Sequence, residues 1–251
     1  MSLFDLTGRV ALVTGAGQNV GAGIARMLAA QGATVAVNDI DPRRAADTVA
    51  AVEAEGGRAL PAPFDVTDRA AVDAGVAVLS GEVGTPDILV NNAGNGGAHG
   101  MVPQPFREMD PAAWEGPIRV NLYGVLHCCH AVVDEMCARG WGRIITISSG
   151  AGTQGVSIGV SPYSAGKGGG IAFTRTLALE VAGSGVTANS VALGLMGMPD
   201  PAVTAHLARA IPVRRTGTPE DVGAVCVWLA SNEAAWVTAQ TVQVNGGSVP
   251  T

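Results

Sequence analysis

The chain has 251 residues, 47% of them hydrophobic and only 14% charged, which supplies one large buried core and excludes the polar, highly charged make-up of disordered chains. A net charge of −6 leaves no basic footprint for nucleic acid, and no apolar stretch approaches the roughly 18 uninterrupted residues of a membrane helix. Residues 1–8 carry Asp5 and no basic-then-apolar export pattern, and four cysteines at this length make no disulfide framework, so a reducing, cytoplasmic setting is expected.

In chain order, short apolar runs rich in β-branched residues alternate with helix-period segments. Strand 10–13 leads to a helix over about 20–31, and strand 34–37 to a helix from 42 to about 55. A third strand is expected over 58–64, then a helix from Thr67, its cap, to about 79. Strands 88–90 and 144–147 bracket a long helix near 119–138. A helix over 162 to about 181, strand 186–191, helix 219–230 and strand 241–244 close the chain. Continuous apolar strands separated by helices predict an α/β fold: one doubly wound (Rossmann) domain over 1–251, with a mostly parallel seven-stranded sheet and helices on both faces. Ligands of such sheets bind beyond the carboxyl ends of the strands. That directs attention to the turn after Val13 and to the irregular stretches 94–111, 150–161 and 194–215.

The first strand runs through Thr14, Gly15, Gln18, Asn19, Val20 and Gly21 straight into a helix. Small residues there let the backbone turn sharply and approach a pyrophosphate seated on the helix's positive end. Asp39 ends the second strand, followed by Ile40, near the spacing at which a carboxylate meets the adenosine ribose and repels a 2′-phosphate. Arg43 and Arg44 lie past this turn and read as ordinary helix-surface arginines. NAD(H) is therefore expected over NADP(H).

These features, with those that follow, closely resemble the short-chain dehydrogenase/reductase family along essentially the whole chain. The resemblance rests on the glycine turn from Thr14 to Gly21, in which Asn19 replaces a glycine, a tolerable change because Asn visits positive φ readily. It rests also on Asp65-Val66 after the third strand, Asn91-Asn92-Ala93-Gly94, Asn121, Ser148-Ser149, the Tyr-x-x-x-Lys pair Tyr163 and Lys167, and Asn245-Gly246-Gly247. The resemblance implies that Asp65 and Val66 bracket the adenine. Asn91, Ala93 and Gly94 would lie beside the cofactor ribose, and Gly194 and Met196 would face the nicotinamide.

Hydride transfer to or from a ketone needs a proton donor or acceptor at the oxygen. A free tyrosine, with pKa near 10, is a poor base at neutral pH, and a nearby ammonium would lower that value. Lys167, four residues beyond Tyr163, shares its helical face. The resemblance implies that Ser149 orients the substrate oxygen, that Lys167 also holds the nicotinamide ribose, and that Asn121 anchors a water linking the lysine to solvent. Ser148 is the minor rival of Ser149, since strand alternation gives only one of them the active-site face.

Three departures stand out. Ser149 lies fourteen residues before Tyr163, one more than the family pattern, so 150–161 carries an extra residue. Leu193-Gly194 replaces Pro-Gly, and Met198 stands where a threonine is usual. Gly166, Gly168, Gly169 and Gly170 crowd the catalytic helix, each costing about 1 kcal/mol of helix propensity relative to Ala. Their presence suggests close approach by another backbone, with a homodimer or homotetramer interface as one candidate. His127-Cys128-Cys129-His130 has one spacing of a metal pair but no further ligand cluster, so no metal is assigned.

The resulting expectation is an NAD(H)-dependent oxidoreductase interconverting a secondary alcohol and a ketone on a small, fairly apolar substrate. Its pocket rim would include Met101, Val102, Val156, Met196 and Met198, under a lid over about 195–215. The alternatives are a reductase of 3-oxoacyl thioesters on an acyl carrier protein, against which Asp39 and the acidic charge speak, or a nucleotide-binding scaffold without turnover.

Overall fold

The computed structural model describes residues 3–94, 102–197 and 200–249. Seven parallel strands form one sheet in the order β3-β2-β1-β4-β5-β6-β7. They are β1 (Val10–Val13), β2 (Thr34–Val37), β3 (Arg58–Pro61), β4 (Ile88–Asn91), β5 (Gly142–Ser149), β6 (Val186–Leu193) and β7 (Thr241–Val244). The expected doubly wound sheet is present. Its chain reverses direction across the sheet between β1 and β4, which opens a crevice at their carboxyl ends.

Strand alternation explains why these segments are apolar throughout. Ala11 and Val13 of β1 and Ile88 and Val90 of β4 face one core, with Ile24 and Leu28 of α1 (Asn19–Ala30) and Val222, Cys226 and Leu229 of α9 (Pro219–Ala230). Leu12 and Leu89 face the other. There they meet Val72 and Val76 of α3 (Arg69–Val83), Cys128, Val132 and Met136 of α5 (Gly124–Ala138), and Leu177 of α7 (Ser161–Val181). Each fully buried Leu or Val removed from water contributes about 1.5–3 kcal/mol, so both sheet faces are covered for the same reason.

Several boundaries differ from expectation. β3 stops at Pro61 rather than residue 64, because the nearby Pro63 has no N–H to continue a ladder. The third helix starts at Arg69 and is capped not by Thr67 but by Asp68, whose carboxylate accepts from the Ala70 and Ala71 amides. α2 (Pro42–Ala54) is capped by Asp41. The helix expected over 119–138 is composite: α4 (Glu115–Ile118), a π-helical turn (Arg119–Tyr123), then α5. Two short helices lie in stretches read as loops, α6 (Gly150–Thr153) and α8 (Pro201–Ala208).

Candidate active site

At the carboxyl ends of the strands lies a cleft of about 780 Å³. Its floor begins with the turn after β1. The buried Thr14 hydroxyl accepts from the Asn92 and Ala93 amides, both at 3.0 Å, and Asn92 Nδ2 donates to the carbonyls of Thr14 and Gly15 at 2.9 Å. Gly15 adopts φ +60°, and a Cβ there would lie 2.8 Å from Ala93 Cα, so the turn closes only around glycine. Asn19, the substitute for a motif glycine, takes φ +48°, as its tolerance of the left-handed region requires. α1 has no side-chain cap at Gln18, whereas α2, α3, α8 and α9 are capped by Asp41, Asp68, Asp200 and Thr218. The first amides of α1 are thus left to bind an anion, which fits a dinucleotide pyrophosphate.

At the far arm, Asp39 is 4% exposed and accepts three hydrogen bonds: from the Gly17 amide at 3.2 Å, the Asp41 amide at 3.0 Å and Arg44 Nη2 at 2.8 Å. This corrects the reading of Arg44 as an ordinary surface residue. It lines the cleft beside Asp39, Ile40, Asp65 and Val66. Asn91 is also corrected. It does not line the cleft but points to α5, where its Nδ2 donates to Cys129 Sγ at 3.3 Å. The next residue, Asn92, holds the turn instead. Of the other expected cofactor residues, Gly15, Gln18, Asn19, Val20, Gly21, Ala93, Gly94, Gly194 and Met196 all line the cleft.

At the near arm, β5 delivers Ser148 and Ser149 to opposite partners. Ser148 is buried and donates to the Lys167 carbonyl at 3.2 Å. Ser149 caps α6 by accepting from the Ala151 amide at 3.2 Å and hydrogen-bonds Tyr163. Alternation thus gives the two different partners, although both line the cleft. Lys167 is buried, donates to the Ile147 carbonyl at 2.7 Å, and is pushed down to about 8 by loss of solvation. Tyr163 is raised above its ordinary value by burial, against the pull of the Ser149 hydrogen bond. The expected lowering of the phenol by Lys167 is not realised in this geometry: Nζ stands 5.9 Å from the ring centroid and points its proton at Ile147.

Asn121 sits in the π turn, buried, with Nδ2 donating to the Pro117 carbonyl at 2.7 Å. A Cβ on Gly94 would lie 2.8 Å from both Asn121 Oδ1 and Lys167 Nζ. These two atoms are therefore no further apart than twice that distance. The catalytic-helix glycines are explained within the chain. A Cβ on Gly166 would lie 2.9 Å from Asn121 Cβ, one on Gly169 3.3 Å from Leu122, and one on Gly168 3.3 Å from the Gly152 carbonyl. Close approach by another backbone is real, and within the chain it comes from α4, the π turn and α6.

Val156 is 38% exposed and outside the lining of the cleft. Met198 and Met101 fall outside the described residues. The two ends of the expected lid are joined by a parallel bridge between Met196 and Gly217. His127 contacts the Val66 carbonyl and His130 contacts Arg69, while burial pushes Cys129 and Cys226 up to about 12, so the His-Cys-Cys-His run serves packing. Sequence reasoning missed Arg44, Asn38, Asn92 and Arg119 as cleft residues. The one available signal was Asn92, which stands inside a motif already recognised.

A family model described as Enoyl-(Acyl carrier protein) reductase matches residues 15–248. The chain is 39% identical to nodulation protein G of Azospirillum brasilense, over 95% of this chain and 97% of that protein. It is 36% identical to acetoacetyl-CoA reductase of Shinella zoogloeoides (95% and 98% covered) and 36% identical to the 3-oxoacyl-[acyl-carrier-protein] reductase FabG of Vibrio harveyi (97% and 98%). Among solved structures, a 3-oxoacyl-[acyl-carrier protein] reductase with bound NAD from Brucella melitensis superposes with a TM-score of 0.90 at 34% identity, covering 98% of this chain and 94% of that one. A gluconate 5-dehydrogenase from Burkholderia cenocepacia, in complex with NADP and tartrate, gives 0.89 at 34% identity, with 98% and 96% covered. These likenesses span the whole described fold and the strands that build the cleft, and on them the chain belongs to the short-chain dehydrogenase/reductase family of oxidoreductases.

Proposed function

We propose that the protein reduces the 3-oxo group of an acyl thioester to the 3-hydroxy compound, and runs the reverse oxidation, with a nicotinamide cofactor. This is the reading placed second from sequence alone. The relatives named as acetoacetyl-CoA and 3-oxoacyl reductases support it over a generic ketone. The observation that carries it is that, among the described residues, neither cation lining the cleft besides Arg44 is unengaged: Arg119 pairs with Glu115 and Lys167 donates to Ile147. Around Ser149 and Tyr163 the wall is Ile147, Leu193, Gly194 and Met196, while Lys167 is spent on Ile147. A sugar acid would need a cationic partner for its carboxylate there; a thioester carbonyl does not.

A bound reduced nicotinamide would supply the hydride. Gly15 to Gly21 and the uncapped start of α1 would hold the pyrophosphate, Asp39 and Ile40 the adenosine ribose, and Asp65 and Val66 the adenine. Ala93, Gly94, Gly194 and Met196 would line the nicotinamide half, and Lys167 the second ribose. Ser149 donates a hydrogen bond to the substrate oxygen, and Tyr163 gives it a proton as negative charge develops. Asn121 and Lys167 bracket the gap through which a water reprotonates the phenol. Asp39 supports NAD(H) over NADP(H). The segment 195–215 acts as a lid hinged on the Met196–Gly217 bridge, and exposed Leu179 and Trp236 support a homo-oligomer.

The test is turnover of acetoacetyl-CoA, cyclohexanone and 5-ketogluconate with NADH, followed at the nicotinamide absorbance band. Acetoacetyl-CoA should lead the others in kcat/KM by about tenfold or more, equivalent to about 1.4 kcal/mol in the transition state. Preference for cyclohexanone would restore the apolar-ketone reading, and preference for the sugar acid would remove both.

A further inference from the structure

The Asp39 carboxylate is largely spent on the protein itself. An ionised carboxylate offers about four lone-pair sites. On Asp39, Oδ1 already takes Arg44 Nη2 and the Asp41 amide, and Oδ2 takes the Gly17 amide. One site remains, so the carboxylate can accept one ribose hydroxyl while these contacts last, not two.

Arg44 is placed to matter in its own right. It reaches back from the first turn of α2 to pair with Asp39 at 2.8 Å, and it lines the cleft. Its Nε is buried and has no hydrogen-bond partner, with an Asp41 carboxylate oxygen at 3.9 Å. A buried guanidinium N–H without an acceptor is costly, and the acceptor that suits a guanidinium fork best is a carboxylate or phosphate. A Cβ on Gly17 would lie 2.6 Å from both Arg44 Cβ and Asp39 Oδ2. The phosphate turn therefore packs against the carboxylate and the base of the Arg44 side chain, whose outer part is 38% exposed and can turn.

We propose that Arg44 is a cofactor-selecting residue: its guanidinium offsets Asp39 and turns to a 2′-phosphate when one is present, so the cleft takes NADP(H) as well as NAD(H). Asp39 then biases the choice instead of deciding it. This rests on the reading of the cleft as a nicotinamide site and names what that site accepts at its adenosine end.

Titrating the intact protein with NADH and NADPH by nicotinamide fluorescence, and with 5′-AMP and 2′,5′-ADP by calorimetry, tests the idea without turnover. For the natural sequence, NADPH should bind within about tenfold of NADH. Arg44→Gln should weaken NADPH and 2′,5′-ADP by about tenfold or more while moving NADH and 5′-AMP by no more than about threefold, and Arg44→Lys should recover part of the loss. Asp39→Asn should make NADPH the tighter ligand. A natural protein that discriminates against NADPH by more than about tenfold overturns the proposal, as does an Arg44→Gln variant that weakens both nucleotides equally or neither. If neither nucleotide binds, the nicotinamide reading itself falls. Binding of both with Arg44→Gln silent removes only the role of Arg44.

Discussion

The two arms of the cleft are built on opposite plans. At the nucleotide arm, residues far apart in sequence lock one another: Thr14 with Asn92 and Ala93, Asn38 with Gly15, Ala62 and Phe64, and Asp39 with Gly17 and Arg44. Nearly every polar group there has a partner, and the backbone takes positive φ at Gly15 and Asn19. At the reaction arm, one strand end and one helix supply Ser149, Tyr163 and Lys167, and the central group is a buried amine that donates to the Ile147 carbonyl. The nucleotide arm spreads its work over many weak contacts, so damage there costs fold and binding together. The reaction arm concentrates it in a few atoms, so damage there should cost turnover and little else.

Tyr163→Phe sets that contrast most sharply. Loss of a general acid costs on the order of 10²–10⁴-fold, so kcat should fall into that range while NADH affinity stays within about threefold and the melting temperature is unmoved. Unchanged kcat would place the chemistry elsewhere, and a scaffold without turnover would show no rate to lose.

Lys167 is the only lysine in the chain. Labelling with pyridoxal phosphate and borohydride should therefore modify one side chain besides the α-amino group, abolish activity in proportion, be slowed by NADH, and quicken as pH rises through about 8. Full activity after stoichiometric labelling of Lys167 would contradict its role.

Tyr163, raised by burial, is protonated at neutral pH, so on the proposed reading it is the acid of reduction, whereas oxidation needs the phenolate. The oxidation rate should accordingly climb steadily from pH 7 to 9.5 in a stopped-flow series. A flat or falling profile would count against Tyr163 as the base.

A smaller effect is expected at Gly166. Its Ala variant would push on Asn121 Cβ at 2.9 Å and cut kcat by about tenfold, whereas Gly170→Ala, whose nearest neighbour is 3.4 Å away, should be silent. Equal effects from both would show that helix propensity, not Asn121, is at stake.

The smallest signal is thermodynamic. Lys167 sits near 8 in the folded chain against 10.5 when solvated, so between those pH values the unfolded chain binds the extra proton and stability rises with pH, by on the order of 3 kcal/mol across the window. Buried Cys128, Cys129 and Cys226 and Tyr163 titrate in the opposite sense, so the measurement is the difference between the natural protein and Lys167→Met in urea melts. That difference should widen as pH falls from 10.5 to about 8 and level off below, where the buried charge destabilises the natural chain in full.

The sheet and the proposed catalytic pair were legible because they are local patterns: continuous apolar runs, a glycine turn, a four-residue spacing. What escaped depended on tertiary approach. Nothing in the order Asp39 to Arg44 says that the arginine folds back across a capped turn, and Asn91 and Asn92 are indistinguishable until strand alternation sends one to Cys129 and the other to Thr14. The glycines of α7 announced a close neighbour, but only the π turn at Asn121 shows which one. A π turn spends an extra residue without any local sequence mark, and so reads as ordinary helix.

The most direct test follows a labelled hydride. With NADH deuterated at C4 of the nicotinamide and acetoacetyl-CoA as substrate, the account predicts one deuterium at C3 of 3-hydroxybutyryl-CoA, with the thioester intact and none of it formed by Tyr163→Phe on the same timescale. Deuterium appearing only in butyryl-CoA made from crotonyl-CoA, with acetoacetyl-CoA untouched, would contradict it.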